Sequence, residues 1–124
     1  MFELTVKNRF AAAHQLKMVS QKCENLHGHN WEVEVCLAGE SLDSAGVLMD
    51  FGEIKHMVAD IMADLDHKFL NELECFPDQN PSSEHIAVYI AERMTGKVKN
   101  PGVSVRRVTV WESPGSGAAY IPPE

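Results

Sequence analysis

The stretch His27-Gly28-His29-Asn30-Trp31-Glu32-Val33-Glu34-Val35-Cys36-Leu37 is the clearest guide to the architecture of the chain. From Trp31 onward its apolar side chains alternate with polar ones, and this period of two predicts a half-buried β-strand. His27 and His29 have the parity of the apolar face, and alternate residues of a strand point to the same side. We therefore expect two imidazoles at the start of this strand, close enough to bind one metal ion. Gly28 between them would allow a backbone or a ligand to approach closely.

The segment before this strand has the same periodicity. Apolar and polar residues alternate from residue 2 to residue 7, and Phe10 and His14 keep the apolar parity. This pattern predicts a first strand with His14 on its apolar side. A neighbouring antiparallel strand would bring His14 to His27 and His29, and three imidazoles with an open fourth position are typical of catalytic zinc. The alternative is that each inward histidine is an ordinary hydrogen-bonded core residue.

Beyond Asp50 the period changes from two to 3.6, which predicts a helix. Its apolar stripe comprises Phe51, Ile54, Val58, Ile61 and Leu65. Asp50, with Glu53 three residues later, is typical of a helix N-cap. Asp66 and His67 then lie at the end of this helix or just beyond it. A carboxylate can orient an adjacent imidazole for proton transfer, although such a pair can also be a solvent-exposed helix terminus.

A second helix is predicted after a loop over residues 77–81. Ser82 or Ser83 would cap it, and it would end near Gly96. Its inner face would carry Ile86, Ile90 and Met94. His56 and His85 lie on the two helices away from the apolar stripes, so we expect both at the surface.

The remaining sequence predicts two further strands. A turn at residues 100–102 precedes a strand over residues 103–112, and a short strand follows over residues 118–121. The parity of the longer strand slips, which predicts a bulge around Arg106 and Arg107. The order β-β-α-α-β-β has no β-α-β alternation, so an antiparallel α+β fold is favoured.

Two further residues have the chemistry of a site. Glu112 shares the parity of Val108 and Val110, and an inward carboxylate needs a partner, such as the adjacent N–H donors of a pterin or guanine edge. Cys23 precedes His27 by four residues and would favour the thiolate near a divalent cation. It could therefore be a base, a fourth zinc ligand or a small buried residue. The other cysteines, Cys36 and Cys75, are expected to be small buried residues.

Composition restricts the class of protein. The chain of 124 residues predicts a single domain over residues 1–124. Eighteen acidic residues against eleven basic ones give a net charge of −7, whereas nucleic-acid-binding proteins carry basic patches. The three cysteines lack a C-x-x-C pair, and no apolar run approaches the ~20 residues of a membrane span. We expect a cytoplasmic protein with neither a nucleic-acid nor a membrane partner.

Six blocks of sequence, spread over nearly the whole chain, resemble the 6-pyruvoyltetrahydropterin synthase family. They are Phe10-Ala11-Ala12-Ala13-His14, Cys23-Glu24-Asn25-Leu26-His27-Gly28-His29-Asn30, Gly46-Val47-Leu48-Met49-Asp50-Phe51, Leu65-Asp66-His67-Lys68-Phe69-Leu70-Asn71, Asn80-Pro81-Ser82-Ser83-Glu84 and Val110-Trp111-Glu112. Three residues separate Cys23 from His27. This spacing is similar to that of the 6-carboxytetrahydropterin synthase branch, which acts in queuosine biosynthesis; the pyruvoyl branch typically has a longer gap.

The resemblance implies the tunnelling fold (T-fold), in which subunits join their antiparallel sheets into a barrel. Two helices would pack on one face of each sheet. It also implies a homo-oligomer, with a hexamer expected, whose active sites lie between subunits. The implied site residues are His14, His27 and His29 as ligands of Zn²⁺, Cys23 as general base, Asp66 and His67 as a proton relay, Glu112 as the pterin anchor, and Ser82 and Ser83 as further pterin contacts.

The implied activity is that of a zinc-dependent lyase. It would convert 7,8-dihydroneopterin triphosphate to 6-carboxy-5,6,7,8-tetrahydropterin and release triphosphate and acetaldehyde. Three alternatives remain open: a 6-pyruvoyltetrahydropterin synthase that only eliminates triphosphate, a non-catalytic zinc- or pterin-binding module, and a protein with structural zinc. The chain departs from the usual family residues at Ala11, Ser82, His85 and Ser113.

A triphosphate substrate needs local positive charge in a chain whose net charge is −7. The basic candidates are Lys17, Lys22, Arg106 and Arg107.

Overall fold

A computed structural model describes residues 1–19, 25–77 and 80–124. Two long antiparallel strands form the centre of its sheet, β1 (Phe2–His14) and β2 (His27–Gly39). They pair along their whole length, which places His14 directly opposite His27. Both predicted strands are confirmed, and Val6, Phe10, Trp31, Val33 and Val35, which have the apolar parity, are buried.

Two more antiparallel strands extend the sheet beyond β2. Strand β4 (Val103–Ser113) pairs with β2, and β5 (Ser116–Tyr120) pairs with β4. Arg106 is the extra residue of a bulge, because Val105 lies opposite Leu37 while Arg107 lies opposite Cys36. This is the bulge that the slip in parity predicts.

Two helices have the predicted positions and caps. Helix α1 (Phe51–Leu65) begins after Asp50, whose side chain accepts a hydrogen bond from the N–H of Glu53 at 3.2 Å. Helix α2 (Ser83–Lys97) begins after Ser82, whose hydroxyl oxygen accepts from the N–H of the third residue of the helix. These bonds satisfy N–H groups that a helix leaves unpaired at its first turn.

The prediction that Phe51 belongs to the buried stripe of α1 is wrong. Its side chain is 48% exposed, whereas Ile54 and Val58 are fully buried. Phe51 is the first residue of the helix and lines a surface groove with Phe2 and Val47, so it lies outside the core.

A short segment between the helices adds a parallel strand. Strand β3 (Lys68–Phe69) lies beside β1 at Ala12 and Ala13 and leads into a 3₁₀ helix (Leu70–Glu72). The strand order in the described residues is β3-β1-β2-β4-β5, so the sheet is mixed rather than purely antiparallel. Two residues are too few to show a period in the sequence, which is why this strand was not predicted.

The helices and one face of the sheet enclose a single hydrophobic core. Its buried members include Val6, Phe10, Trp31, Val33, Val35, Ile54, Val58, Ile61, Leu65, Ile86, Ile90, Met94, Val108 and Val110. The fold class is therefore α+β, as predicted. Within the described parts of the chain, the two α-helices have 15 residues each, and no helix has the length and apolarity needed to cross a bilayer.

Candidate active site

The structure brings three histidines together where β1 ends and β2 begins. His14 is fully buried, and its Nε2 lies 3.0 Å from Nε2 of His27. His29 follows on the same face of β2, with its ring centroid 4.6 Å from that of His27 and 5.3 Å from that of His14. Strand pairing and parity thus assemble the three imidazoles that the sequence predicts.

Backbone carbonyl groups determine the tautomers of two of these rings. Nδ1 of His14 lies 2.8 Å from the carbonyl oxygen of Pro81, and Nδ1 of His27 lies 2.7 Å from that of Asn25. A carbonyl oxygen only accepts hydrogen bonds, so each Nδ1 carries the proton. In the neutral imidazole Nε2 then has a free lone pair, which is the form that binds a metal.

Two lone pairs that face each other at 3.0 Å repel unless a cation lies beside both. Two tetrahedral ligands at a Zn–N distance of 2.0–2.1 Å would lie roughly 3.3 Å apart, close to the observed spacing. The donor set of His14, His27 and His29 therefore fits a zinc ion.

Glu112 reaches the same cluster from β4. Its Oε1 lies 3.1 Å from Nε2 of His29, and one donor atom from each of the four side chains lies within 4.8 Å of the others. The carboxylate is partly exposed, so it can accept hydrogen bonds from a ligand or serve as a fourth metal ligand. Parity alone predicted that it faces inward, and the structure shows what it faces.

Trp31 forms the floor of the cluster, a role that the sequence analysis did not assign. Its ring packs edge-to-face against His14 and His29, with centroid distances of 4.9 and 5.1 Å. Its Nε1–H donates to the carbonyl oxygen of Ala12 at 3.2 Å, and Phe10 stacks on it at 5.8 Å. The shared parity of Trp31 and His29 was a signal for this contact.

Asp66 and His67 are attached to β1 at Ala11. One carboxylate oxygen of Asp66 accepts from the N–H of Ala11 at 2.8 Å, and the other lies 2.9 Å from Nδ1 of His67. The backbone N–H of His67 donates to the carbonyl oxygen of Ala11 at 2.6 Å. The N–H of Ala11, followed by His67, lowers the pKa of Asp66, so the carboxylate is ionised and can orient the imidazole.

His67 itself is held in an unusual conformation. Its φ of 58° lies in the left-handed region, which costs a residue other than glycine roughly 1–2 kcal/mol. Its side chain is 82% exposed. The imidazole is thus oriented by Asp66 and open to a molecule outside this chain.

Some predicted residues lie elsewhere or outside the described residues. Cys23 and Lys22 belong to the undescribed segment 20–24. Ser82 directly follows Pro81, and its hydroxyl oxygen caps α2; Ser83 is the first residue of that helix. The positions of these two serines do not by themselves indicate that either contacts a ligand.

Arg106 and Arg107 lie at the other end of the sheet from the histidines. Arg107 lies opposite Cys36 of β2. Along this strand Cys36 is more than about 20 Å from His29, at about 3.3 Å per residue. Arg106 also pairs with Glu3, at 3.5 Å. They are therefore too far to bind phosphates at the histidine cluster of the same chain, whereas Lys17 follows His14 closely.

Two smaller expectations are wrong. His85 is partly buried, and its Nδ1 lies 2.6 Å from the carbonyl oxygen of Asn80, because the start of α2 folds against the preceding loop. Cys75 is exposed, whereas Cys36 is buried as expected. At Gly28 a Cβ would meet only the Ala12 carbonyl oxygen, at 3.9 Å, so space for a ligand remains beside this residue.

Comparison with known proteins gives a consistent result. The chain matches the model of the family described as 6-pyruvoyl tetrahydropterin synthase over residues 3–123. A dihydroneopterin monophosphate aldolase of Pyrococcus furiosus is 38% identical over 83% of this chain and 82% of that protein. A 6-carboxy-5,6,7,8-tetrahydropterin synthase of Synechocystis is 35% identical over 92% of this chain and 88% of that protein.

The fold matches solved structures as well. The structure of 6-pyruvoyl tetrahydropterin synthase from Caenorhabditis elegans superposes with a TM-score of 0.86 at 25% identity, and covers 98% of this chain and 96% of that one. The T-fold expected from the sequence is therefore confirmed.

Proposed function

Because the chain belongs to the 6-pyruvoyl tetrahydropterin synthase family, we propose that it is a zinc-dependent 6-carboxytetrahydropterin synthase. The proposed reaction converts 7,8-dihydroneopterin triphosphate to 6-carboxy-5,6,7,8-tetrahydropterin, with release of triphosphate and acetaldehyde, in the route to queuosine. The main structural support is the pair of facing Nε2 atoms of His14 and His27, 3.0 Å apart, whose tautomers suit a metal. The relative from Synechocystis supports the choice of product.

The metal would be held by His14, His27 and His29. A bound zinc ion supplies a Lewis acid that polarises the side-chain oxygens of the substrate and acidifies the neighbouring C–H. The carbonyl oxygens of Pro81 and Asn25 fix the rings of His14 and His27 in the tautomer that leaves Nε2 available. The buried Trp31 below them excludes water from that side of the cluster.

Proton transfer would need a base and an acid on opposite sides of the substrate. Cys23 is the proposed base, removing a proton from the side-chain carbon. His67 is the proposed acid, oriented by the ionised carboxylate of Asp66 at 2.9 Å. Elimination of triphosphate leaves a carbonyl group, and a retro-aldol-type step that takes up one water molecule then forms the carboxylate and releases acetaldehyde.

Pterin recognition would fall to Glu112. Its carboxylate can accept two hydrogen bonds from the adjacent N–H groups of the amino-pyrimidine edge. Burial of that edge without such an acceptor would be costly. Ser82 and Ser83 would add contacts, since the hydroxyl group of Ser82 can still donate while its oxygen accepts from the helix.

We also propose that the chain works as a homo-oligomer of single-domain subunits, with a hexamer expected and each site completed by a neighbouring chain. The exposed imidazole of His67 supports this arrangement, because a relay open to solvent needs a partner to enclose it. Phe2, Leu42, Val47 and Phe51, each more than 40% exposed, line an apolar groove of about 290 Å³ that a second subunit could cover. Light scattering that gives the monomer mass of 13.8 kDa would contradict it.

Product analysis tests the proposed reaction. The purified protein, loaded with zinc, is incubated with 7,8-dihydroneopterin triphosphate, and the products are separated by chromatography and mass spectrometry. We expect 6-carboxytetrahydropterin and acetaldehyde in equal amounts. A pyruvoyl product without acetaldehyde would exclude the carboxy assignment and leave the 6-pyruvoyltetrahydropterin synthase alternative. Zinc and pterin binding without any turnover would leave the non-catalytic alternative.

A second candidate function is aldol cleavage of a dihydroneopterin phosphate. It is favoured by the aldolase from Pyrococcus furiosus, which is 38% identical. In this reaction the bond between the first two side-chain carbons breaks, giving 6-hydroxymethyl-7,8-dihydropterin and glycolaldehyde phosphate from the monophosphate. A base that takes the proton of the second hydroxyl group would suffice, and the chain has both a thiol and a carboxylate shortly before His27, at Cys23 and Glu24.

Incubation with 7,8-dihydroneopterin monophosphate separates the two functions. Glycolaldehyde phosphate from this substrate, with no acetaldehyde from the triphosphate, would favour the aldolase. The variants Cys23→Ala and Glu24→Gln then identify the base. We expect Cys23→Ala to abolish the synthase reaction and Glu24→Gln to spare it.

A further inference from the structure

One edge of β1 is paired with an unusual set of partners. On the side away from β2, Ala11 bonds with Asp66 and His67, and Ala13 lies opposite Phe69 of β3. The next two residues of the same parity, Gln15 and Lys17, lie beyond the end of β1. Alternate residues of an extended chain direct their N–H and C=O groups to the same edge. The partners of Gln15 and Lys17 therefore continue this edge past the end of the strand.

Those partners are the side chains of two asparagines. Asn71 accepts from the N–H of Gln15 at 2.9 Å, and its Nδ2 donates to the carbonyl oxygen of Gln15 at 2.7 Å. Asn80 makes the same two bonds with Lys17, at 2.9 and 2.7 Å. A primary amide has one acceptor and at least one donor in the geometry of a peptide group. Each asparagine thus replaces one residue of a neighbouring strand.

These two amides hold the chain on the C-terminal side of His14. Gln15 follows His14 directly, so the bonds of Asn71 restrict the backbone that carries the imidazole. Asn80 precedes Pro81, whose carbonyl oxygen accepts from Nδ1 of His14 at 2.8 Å. The backbone and the ring of His14 are therefore fixed by two neighbouring sets of bonds.

The second set is also tied to α2. The carbonyl oxygen of Asn80 lies 2.6 Å from Nδ1 of His85, and the N–H of His85 donates to the cap residue Ser82 at 3.1 Å. Asn80 is thus bonded through its side chain to β1 and through its backbone to the first turn of the helix. This anchors the carbonyl group of Pro81 between them.

We propose that Asn71 and Asn80 are positioning residues of the active site. Their side-chain amides continue the hydrogen bonding of β1 beyond the last residue of the strand. This holds His14 in the orientation and tautomer that bind the metal. The inference rests on the proposed metal site at His14 but not on which pterin reaction follows. Groups that orient metal-binding histidines typically change metal affinity or activity about 10–100-fold when removed.

The experiment compares Asn71→Ala and Asn80→Ala with Asn8→Ala. Asn8 is a matched control because its side chain also bonds to the backbone of β1, accepting from the N–H of Arg9 at 2.7 Å, away from the site. Zinc affinity is measured by competition with a chromophoric chelator. The absorption spectrum of the cobalt(II)-loaded protein reports the geometry of the ligands.

We expect Asn71→Ala and Asn80→Ala to lower zinc affinity about tenfold or more and to alter the cobalt spectrum. Asn8→Ala should change neither. Asn80→Ala is the safer variant because its two bonds are exposed and their loss should leave the fold intact. Circular dichroism checks this.

Unchanged affinity and spectrum in folded Asn80→Ala would overturn the proposal, as would an equal loss in Asn8→Ala. A wild-type protein that binds no zinc would overturn it too. Failure of the proposed function gives a different result: the wild type binds zinc, the asparagine variants bind it more weakly, and neither pterin product forms.

Discussion

At the scale of the residue, the ring nitrogens that carry two protons determine whether the site can bind a metal. The carbonyl oxygens of Asn25 and Pro81 each accept from an Nδ1–H, and this leaves Nε2 of His27 and His14 as facing acceptors. The same two rings with the opposite tautomer could not bind one ion together. The chemistry of the cluster therefore depends on two backbone groups that have no ionisable character of their own.

Asp66 provides a test through pH. Its pKa is lowered in the folded state, chiefly by the Ala11 N–H and next by His67. A carboxyl group with a depressed pKa stabilises the fold above its ordinary pKa of about 3.9, and this contribution is lost as the pH falls through the lower folded value. We expect the wild type to be more stable than Asp66→Asn at neutral pH, and the difference to shrink below about pH 4. Urea unfolding at several pH values measures this; a difference that is independent of pH would contradict it.

His67 allows activity and stability to be separated. Replacement by glycine removes the imidazole and relieves the left-handed backbone at φ 58°. We expect His67→Gly to unfold with a free energy equal to the wild type or up to about 1 kcal/mol higher, because relief of strain offsets the lost contact with Asp66. Turnover should fall by about 100-fold or more, which is the usual contribution of a general acid.

The control for His67→Gly is His56→Ala. The two side chains are equally exposed, at 82% and 81%, but His56 lies on α1 and pairs only with Asp60 at 3.8 Å among the described contacts. His56→Ala should leave turnover unchanged. Turnover is measured by steady-state kinetics. An equal loss of turnover in both variants would contradict the proposed role of His67 in proton transfer.

At the scale of the element, the two ends of β2 lie in different surroundings. Its first residues carry His27 and His29 at the open end of the sheet, where a ligand can approach. Its last residue, Gly39, is packed between the loop before α1 and the turn before β4. Periodicity in the sequence predicted the strand from His27 to Leu37, whereas the structure continues it to Gly39, where the alternation of buried and exposed residues has ended.

Two glycines of β2 should therefore respond differently to alanine. At Gly39 a Cβ would lie 2.7 Å from the backbone oxygen of Gly102 and 2.6 Å from Leu48. We expect Gly39→Ala to lower the free energy of unfolding by about 1–3 kcal/mol, as overpacking does. Gly28→Ala, with its nearest contact at 3.9 Å, should change it by less than about 0.5 kcal/mol. Urea denaturation compares the two, and similar losses would contradict the packing argument.

At the scale of the whole molecule, the hydrophobic core extends well beyond the candidate metal site, which it meets at Trp31. Most of its packing, among the buried aliphatic residues of both helices and of β1, β2 and β4, is separate from the histidines. Removal of a ligand that binds only the folded state lowers stability by the linkage term, about 4 kcal/mol for a ligand at a thousand times its dissociation constant. The fold should therefore weaken without the metal but persist.

Chelation tests this separation. We expect dialysis against EDTA to abolish turnover and lower the thermal midpoint, while the far-UV circular dichroism at room temperature stays unchanged. Activity should return when zinc is added. Loss of secondary structure on chelation would instead identify a structural zinc site.

Local patterns were sufficient for most of the architecture. The alternation in β1 and β2, the 3.6-residue stripe of α1 and the slip at Arg106 each arise from neighbours in the chain, so they are visible without any tertiary information. The meeting of His14 with His27 and His29 also follows, because parity and antiparallel pairing suffice. Strand β3 and the exposure of Phe51 did not follow, since a two-residue strand has no period and a helix end need not face the core.

The contacts that complete the site depend on distances that no local pattern reveals. Pro81 orients His14 from 67 residues away, Asn71 bonds Gln15 from 56, and Asn80 bonds Lys17 from 63. Such bonds form between a side chain and a backbone group, and backbone groups are the same at every residue. The sequence therefore specified which side chains could bind a metal and on which face they lie, while the packing of the segments around Asn71 and Pro81 against β1 decided the tautomer and position of His14.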